Sequence, residues 1–388
     1  MSDSYFPTKT VAVLGGGQLG TMLATAAQPL RVKVHCLDPS AEAPAAYNAQ
    51  SFAEGEFSHA RTVESFGRHA DAVTIEIEAV STTGLRALRD EHGVATRPSP
   101  EAIELIQDKG LQKSFYQEHH IPTAPFRLWE DASAIEEAVK DGKLAIPFVQ
   151  KLRKGGYDGR GVQIVRSHED LSQLLQGPSL TEGLAPYTLE LAVVAARRPS
   201  GEVQTYAPVE MAFDPDENLV TKLVSPARIP HAVAEAARQL AERLIGDLEI
   251  EGLLAVEFFL LEDGSLWVNE VAPRPHNSGH ITMNGFATSQ FEQHLRAVLD
   301  LPLGSTEQYR PAVMINLLGE PGHTGPAAYQ GFNEVLSIPG VHIHLYGKTS
   351  TRPHRKMGHV NIVRDDLSEA LEVADDVRQL LKVVVHQA

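Results

Sequence analysis

The segment LAVEFFLLEDGSLWVNEV, residues 254–271, constrains the fold more than any other stretch because it fixes a strand pairing. Asp263-Gly264 is a strong two-residue hairpin signal between two apolar runs. Pairing outward from it sets Glu262 opposite Ser265 and Glu257 opposite Glu270, on a face shared with Phe259, Leu261, Leu266 and Val268. Two carboxylates facing each other on an apolar surface repel and lose hydration, which a sheet avoids unless a cation lies between them. Mg²⁺ suits such a pair, since it combines carboxylate oxygens with substrate phosphates. The alternative is a frayed, solvated hairpin end with no ion.

The chain around this hairpin divides into parts. From Thr10 to about Arg97 strands and helices alternate (TVAVLG, the helix after Gly20, VKVHCLD, DAVTIEIEAV), which predicts a parallel sheet with flanking helices. RPSPEAIELIQDKGLQKSFYQEH reads as one helix started at Ser99-Pro100, and HHIPTAPF breaks it. A smaller unit follows, with strands AIPFVQKL and VQIV around GGYDGRG and a helix at SHEDLSQLLQ. Antiparallel strands resume at YTLELAVVAAR and GEVQTYAPVEMAF, then a helix at HAVAEAARQLAERLIGDL. The expected class is α/β, partly α+β, in three domains: 1–115, 116–181 and 182–388.

Charge and composition exclude several functions. A net charge of -16 argues against a nucleic-acid surface, so any anionic ligand must meet local cations and backbone N–H groups. No apolar run reaches the ~18 residues of a membrane span, and MSDSYFPTKT lacks a secretory pattern, so a cytoplasmic protein is expected. The single cysteine, Cys36, rules out an internal disulfide and reads as a buried strand thiol.

Three further segments carry chemistry. VAVLGGGQLG, residues 11–20, runs a strand into Gly15-x-Gly17-x-x-Gly20, and Asp38 stands where a dinucleotide ribose would want an acid. Alone it suggests a dehydrogenase, but the pattern is weakly specific. KLRKGGYDGRGV, residues 151–162, has four glycines that let a loop fold over phosphates, with Lys151 beside it; it lacks the GK[ST] ending of a P-loop. A ligand-free glycine turn is the alternative. In VNEVAPRPHNSGHITMNG, Arg274, His276, Asn277 and His280 crowd beside Glu270, where a small anion could be held.

GGGQLG, QDKGLQK, GGYDGRG, NEVAPRPHNSGH, QFEQHLRAV and RPHRKMGH occur in that order over nearly the whole chain, and together they resemble the N5-carboxyaminoimidazole ribonucleotide synthetases, ATP-grasp enzymes of purine biosynthesis. GGYDGRG and PRPHNSGH are the specific segments. The resemblance implies an ATP-grasp fold: an N-terminal Rossmann-like domain, a central lid, and a C-terminal antiparallel domain that grasps ATP. It implies carboxylation of aminoimidazole ribonucleotide with ATP and bicarbonate through carboxyphosphate, ATP and Mg²⁺ being required, by a cytoplasmic homodimer that binds neither nucleic acid nor membrane.

By motif, the resemblance assigns the ATP phosphates to Lys109, Lys151 and the loop Gly156, Tyr157, Asp158, Gly159, Arg160 and Gly161, with Asn269 and Glu270 beside them. Glu182, Gly183 and Leu184 would line the adenine edge, Glu190 the ribose, and Glu257 and Glu270 the metal. Gln18, Leu19, Glu76, Asp158, Arg160, Asn277, Lys348 and Arg355 would hold the ribonucleotide. Tyr157, Arg274, His276 and Lys348 would surround bicarbonate. GGGQLG would then face a mononucleotide, and Asp38 would be ordinary strand-end polarity. The sequence departs from the family at Phe213 (histidine expected), Thr21 (a basic residue), Ser350 (an acid) and His354 (glycine). Two rivals remain: an ATP-grasp ligase using another acid such as formate, which keeps the carboxylate pair, and a dehydrogenase, which leaves that pair without a task.

Overall fold

The computed structural model describes residues 8–156, 161–213 and 219–386. The apolar run VAVL forms β1 (Thr10–Leu14), buried on both faces as a central parallel strand must be. It lies between β2 (Lys33–Asp38) and β4 (Ala72–Ile75), with β3 (Ser51–Glu54) and β5 (Ala95–Thr96) outside, all parallel, in the order β3-β2-β1-β4-β5. Helices α1 (Gln18–Ala27), α2 (Ala60–Gly67) and α3 (Thr82–His92) cover the sheet. Cys36 is fully buried in β2, and burial pushes its thiol far above the usual range, as expected of an inert strand thiol.

Two sequence expectations change here. DAVTIEIEAV is a strand only to Ile75; residues 76–80 leave the sheet as a loop, because the Glu76 carboxylate turns back to accept N–H bonds from Gly17 (2.7 Å) and Gly20. The single helix expected from Ser99 onward is two, α4 (Pro100–Gln107) and α5 (Lys109–Glu118). Between them Asp108 has extended backbone (φ -117°), and its carboxylate accepts from Gly110 N and Leu111 N while Arg153 grips it through two 2.8 Å bonds. A side-chain cap has here outcompeted helical periodicity.

The small unit is an antiparallel sheet ordered β6-β9-β7-β8, from β6 (Phe126–Trp129), β7 (Phe148–Leu152), β8 (Val162–Val165) and β9 (Ser179–Gly183), backed by α6 (Ala132–Lys140). Glu182 and Gly183 thus belong to this sheet. SHEDLSQLLQ yields only a 3-10 turn, Glu169–Gln173, because Asp170 accepts the N–H groups of Arg166 and Ser167 and ends the chance of a longer helix.

The large sheet contains β10 (Tyr187–Arg197), β11 (Val203–Thr205), β12 (Val209–Phe213), β13 (Val220–Ser225), β14 (Gly252–Leu261) and β15 (Leu266–Ala272). Its order is β15-β14-β10-β12-β13, continued by Ala312–Leu318, Lys356–Val363 and Val341–Leu345, with β11 beside β10. Helix α7 (His231–Asp247) packs Ala237, Ala241, Leu244 and Ile245 onto Leu191, Val193, Val256 and Phe258.

Glu257 does face Glu270, by a route the sequence did not indicate. The turn has three residues, 262–264: Leu261 N donates to Ser265 O (2.9 Å), and Gly264 takes φ +82°. Near the turn Leu260 therefore pairs with Leu266 and Phe258 with Val268. Asn269 is then an extra residue, a β-bulge that restores the Glu257–Glu270 pairing. Leu266 and Val268 consequently lie with Phe258 and Leu260 in the core beneath α7, on the face opposite the carboxylates. The expected face-mates on β15 were wrong, although the pair itself was right.

Candidate active site

The carboxylate face of the β14–β15 hairpin meets cations from two other elements. Lys109, first residue of α5, reaches Glu270 at 2.6 Å, oriented by the Asp108 cap that starts the helix beneath it. Lys151 of β7 reaches Glu182 at 2.7 Å and donates to the bulge residue Asn269 at 3.2 Å. Lys113, one turn after Lys109, contacts the other Glu182 oxygen at 2.5 Å. Burial would raise the Glu182 carboxyl, but Lys151 and Lys113 overcome it and hold it at about 2.

The facing carboxylates are unlike each other. Burial, then Glu270 and Glu190, push Glu257 up to about 8, so it holds its proton at neutral pH. Burial acts the same way on Glu270, but Lys109 outweighs it and keeps Glu270 ionised. Glu190, on β10 next to β14, is pushed up to about 7 by burial; nearby Tyr187 stacks on Phe259 at 4.6 Å. Among the described residues no group of three or more His, Cys, Asp or Glu could by itself hold a metal, so an ion here would need ligands from elsewhere.

Beside this pair lies the PRPHNSGH loop. Arg274 Nε is 2.8 Å from Glu78 Oε1, and the Glu78 backbone oxygen is pinned by Gln107 Nε2 at 2.6 Å. His276 is neutral, lowered to about 3 by burial and by Arg274; its Nδ1 meets Ser278 Oγ at 2.8 Å and its Nε2 lies 3.5 Å from Glu257. Asn277 and Asn316 exchange amide hydrogen bonds of 2.9 and 3.1 Å, so the Asn277 side chain braces its loop against the large sheet. His280 lies below the site, 1% exposed and stacked on His359 at 4.6 Å, with a bond from Gln290 to its Nδ1.

The N-terminal glycine turn borders the same cleft. Glu76, raised to about 7 by burial against the opposing Gly20 and Gly17 bonds, occupies the head of α1 where a dinucleotide phosphate would lie. Asp38 has a definite task, accepting from Gly16 N (2.9 Å) and Ser40 N (2.9 Å), so it is more than ordinary strand-end polarity. Gln18 opens α1, while Leu19 is buried in the core and has only backbone to offer a ligand. Farther along, Lys348 Nζ donates to Lys356 O (2.8 Å), and Arg355 holds Ser350 O (2.7 Å) beside Arg352 and Thr351 in a small surface cavity. His354 takes φ +63°, the left-handed backbone that a glycine there would adopt freely.

Gly156 and Gly161 flank the glycine loop, whose residues Tyr157, Asp158, Gly159 and Arg160 lie outside the described residues. Leu184, after β9, is 40% exposed, whereas the Glu182 side chain is spent on lysines. Phe213 ends β12, and Thr21 bonds back to Gly17 O within α1. Sequence reasoning missed Glu78 and Lys113. The alternation Glu76-x-Glu78 carries a strand pattern that masks the pair, and Lys113 stands one helical turn beyond Lys109 in QDKGLQK.

Three family models match consecutive parts of the chain: a ribonucleotide synthetase preATP-grasp domain over residues 8–107, an ATP-grasp domain over 114–291, and a phosphoribosylaminoimidazole carboxylase C-terminal domain over 312–373. The N5-carboxyaminoimidazole ribonucleotide synthase of Synechococcus elongatus is 39% identical, with 92% of this chain and 90% of that protein covered. The phosphoribosylaminoimidazole carboxylase of Candida glabrata is also 39% identical over 93% of this chain, which spans only 65% of that longer protein. Among solved structures, the N5-carboxyaminoimidazole ribonucleotide synthetase of Thermotoga maritima superposes with a TM-score of 0.89 at 40% identity, covering 97% of this chain and 100% of that one. The Aspergillus clavatus synthase in complex with ADP and aminoimidazole ribonucleotide gives 0.86 at 34% identity, covering 96% and 100%. With a parallel N-terminal sheet, a small antiparallel sheet and a large antiparallel sheet around one cleft, and with the Synechococcus relative and the Thermotoga structure covered over 90% and 100% of their lengths, the chain belongs to the N5-carboxyaminoimidazole ribonucleotide synthetase family of ATP-grasp proteins.

Proposed function

We propose that the protein uses ATP and bicarbonate to carboxylate the exocyclic amine of aminoimidazole ribonucleotide, releasing ADP and phosphate. The observation that carries this reading is the meeting in one cleft of Lys109, Lys151, Glu257 and Glu270 with Arg274, which Glu78 ties to the loop that follows β4. The Aspergillus relative, crystallised with ADP and that ribonucleotide, supports the choice of substrates. No helix among the described residues is long and apolar enough to cross a membrane, and a buried thiol as the only cysteine suits a reducing cytoplasm.

Lys151 and Lys109 would neutralise the β- and γ-phosphates, Lys109 leaving Glu270 to do so. Glu257 and Glu270 fit Mg²⁺: two oxygen donors on one face, short of a full set, leave room for phosphate oxygens to complete it. Bound there, the ion would supply electrostatic stabilisation of the transferring phosphoryl group. Arg274 would hold bicarbonate in line with that group, and His276 beside it stays neutral and brings no charge of its own to the anion site. Carboxyphosphate would form and break down to CO₂ and phosphate in the closed cleft, where the ribonucleotide amine captures CO₂ before water does. Glu76 already fills the α1 head, so the substrate phosphate would be held instead by the cations near Lys348 and Arg355.

ADP release is the direct test. It is expected only with bicarbonate and to rise strongly with aminoimidazole ribonucleotide; equal release with formate would overturn the substrate assignment. Glu78→Gln tests the anion site. Losing the charge that holds Arg274 should raise the bicarbonate KM by about tenfold, as expected for a lost charge-assisted bond, with the ATP KM unchanged. An unchanged bicarbonate KM would show that the Glu78 contact does not position Arg274 for the anion.

A further inference from the structure

Lys113 is a buried cation that the reading above leaves without a task. Its side chain is 3% exposed, and its ammonium bonds Thr123 Oγ1 at 2.5 Å and Glu182 Oε1 at 2.5 Å. The Thr123 hydroxyl donates to Val268 O (2.7 Å), so its lone pairs are left facing the lysine. Glu182 passes its second oxygen to Lys151 (2.7 Å), and Lys151 returns to β15 through Asn269, the neighbour of Val268. The contacts form a closed ring through α5, the segment after it, β9, β7 and β15. Of the two lysines in this ring, Lys151 is the more open to the cleft, with 13% of its side chain exposed against 3% for Lys113.

A single buried carboxylate beside a single lysine would keep that lysine for itself, because the low dielectric strengthens the pair and no water competes. A second lysine on the other oxygen changes the balance. We propose that Lys113 is a positioning residue of the ATP site: it holds one oxygen of Glu182 so that Lys151 stays able to turn its ammonium to a nucleotide phosphate. Lys113 itself does not touch ATP. It sits on the body side of the lid and Glu182 on the lid sheet, so the contact also fixes where Lys151 stands when the lid meets the body. The proposal rests on the reading of Lys151 as a phosphate ligand.

The test compares Lys113→Met, the double variant Lys113→Met/Glu182→Gln, and Lys151→Met by ATP KM and kcat in ADP release. Lys113→Met should raise the ATP KM about tenfold or more, since Glu182 then captures Lys151 with its full charge. The double variant keeps Lys113 absent but removes that charge, and should return to within about threefold of the parent. A double variant no better than the single one would overturn the proposal, because a purely structural or direct phosphate role for Lys113 cannot be rescued by neutralising Glu182. If Lys113→Met does not fold, the double variant decides by itself: an ATP KM tenfold above the parent overturns the proposal. Lys151→Met separates the two readings. An unchanged ATP KM there would sink the phosphate-ligand reading, whereas a raised one without rescue in the double variant would sink only the role of Lys113.

Discussion

Glu270→Gln will slow ATP turnover by roughly a hundredfold or more, because the several kcal/mol that a well-held metal contributes to phosphoryl transfer depend on carboxylate charge. The same variant will also be less stable. Facing carboxylates suggest the opposite, since removing one charge should relieve repulsion. The two carboxylates are unequal: Glu257 holds its proton up to about pH 8, and the charge of Glu270 is matched by Lys109 at 2.6 Å. Glutamine therefore leaves a lysine whose side chain is 16% exposed without its counter-charge. The Glu270 tip is open to the cleft, so solvent screens the pair and the loss should be about 1 kcal/mol rather than the larger figure for a sealed pair. Turnover at limiting Mg²⁺ and a thermal melt check the two halves. Normal turnover would remove Glu270 as a ligand, and a raised melting temperature would show that carboxylate repulsion dominates after all.

Gly15→Ala will unfold the N-terminal sheet or cost it about 3 kcal/mol, and will abolish use of the ribonucleotide. Gly15 has φ +111°, and an added Cβ would stand 2.2 Å from Glu76 Cγ. Backbone strain and overlap act together, and the only relief is to expel the Glu76 side chain from the head of α1. That would leave the amides of Gly17 and Gly20 without an acceptor. Gly93→Ala is the matched control: it has φ +67° with nothing within 4 Å of the added carbon, so strain acts alone, at about 1 kcal/mol. Urea unfolding of both variants, with ribonucleotide-stimulated ADP release, separates the contributions. Equal losses would show that the Glu76 contact adds nothing.

Much of this was legible because the signals were local. The apolar run of β1, the helical stripe of α7 and the strand pair around Asp263-Gly264 each carry their own periodicity. The facing carboxylates were found by counting outward from a two-residue turn. The count reached the right pair because the turn's extra residue, Glu262, and the bulge at Asn269 offset each other by one position. No local pattern announces a bulge. The residues that escaped notice depend on contacts across long sequence separations: Glu78 acquires its meaning from Arg274, and Lys113 from Glu182. Likewise Asp108 splits a periodic helix through a partner, Arg153, that follows β7 some forty-five positions along the chain.

The carboxylate at the head of α1 bears on how glycine fingerprints are used to sort unfamiliar sequences. Gly15-x-Gly17-x-x-Gly20 satisfies the dinucleotide pattern in full, down to an acid at position 38, and a scan on those terms would file this chain among the nicotinamide enzymes. The discriminating letter lies elsewhere, at the end of the adjoining strand, where Glu76 supplies from within the chain the anion that the pattern was thought to await. A pattern extended to ask whether an acidic residue ends that neighbouring strand would separate turns that solicit a pyrophosphate from turns already satisfied. It would do so from the letters alone, before any coordinates exist.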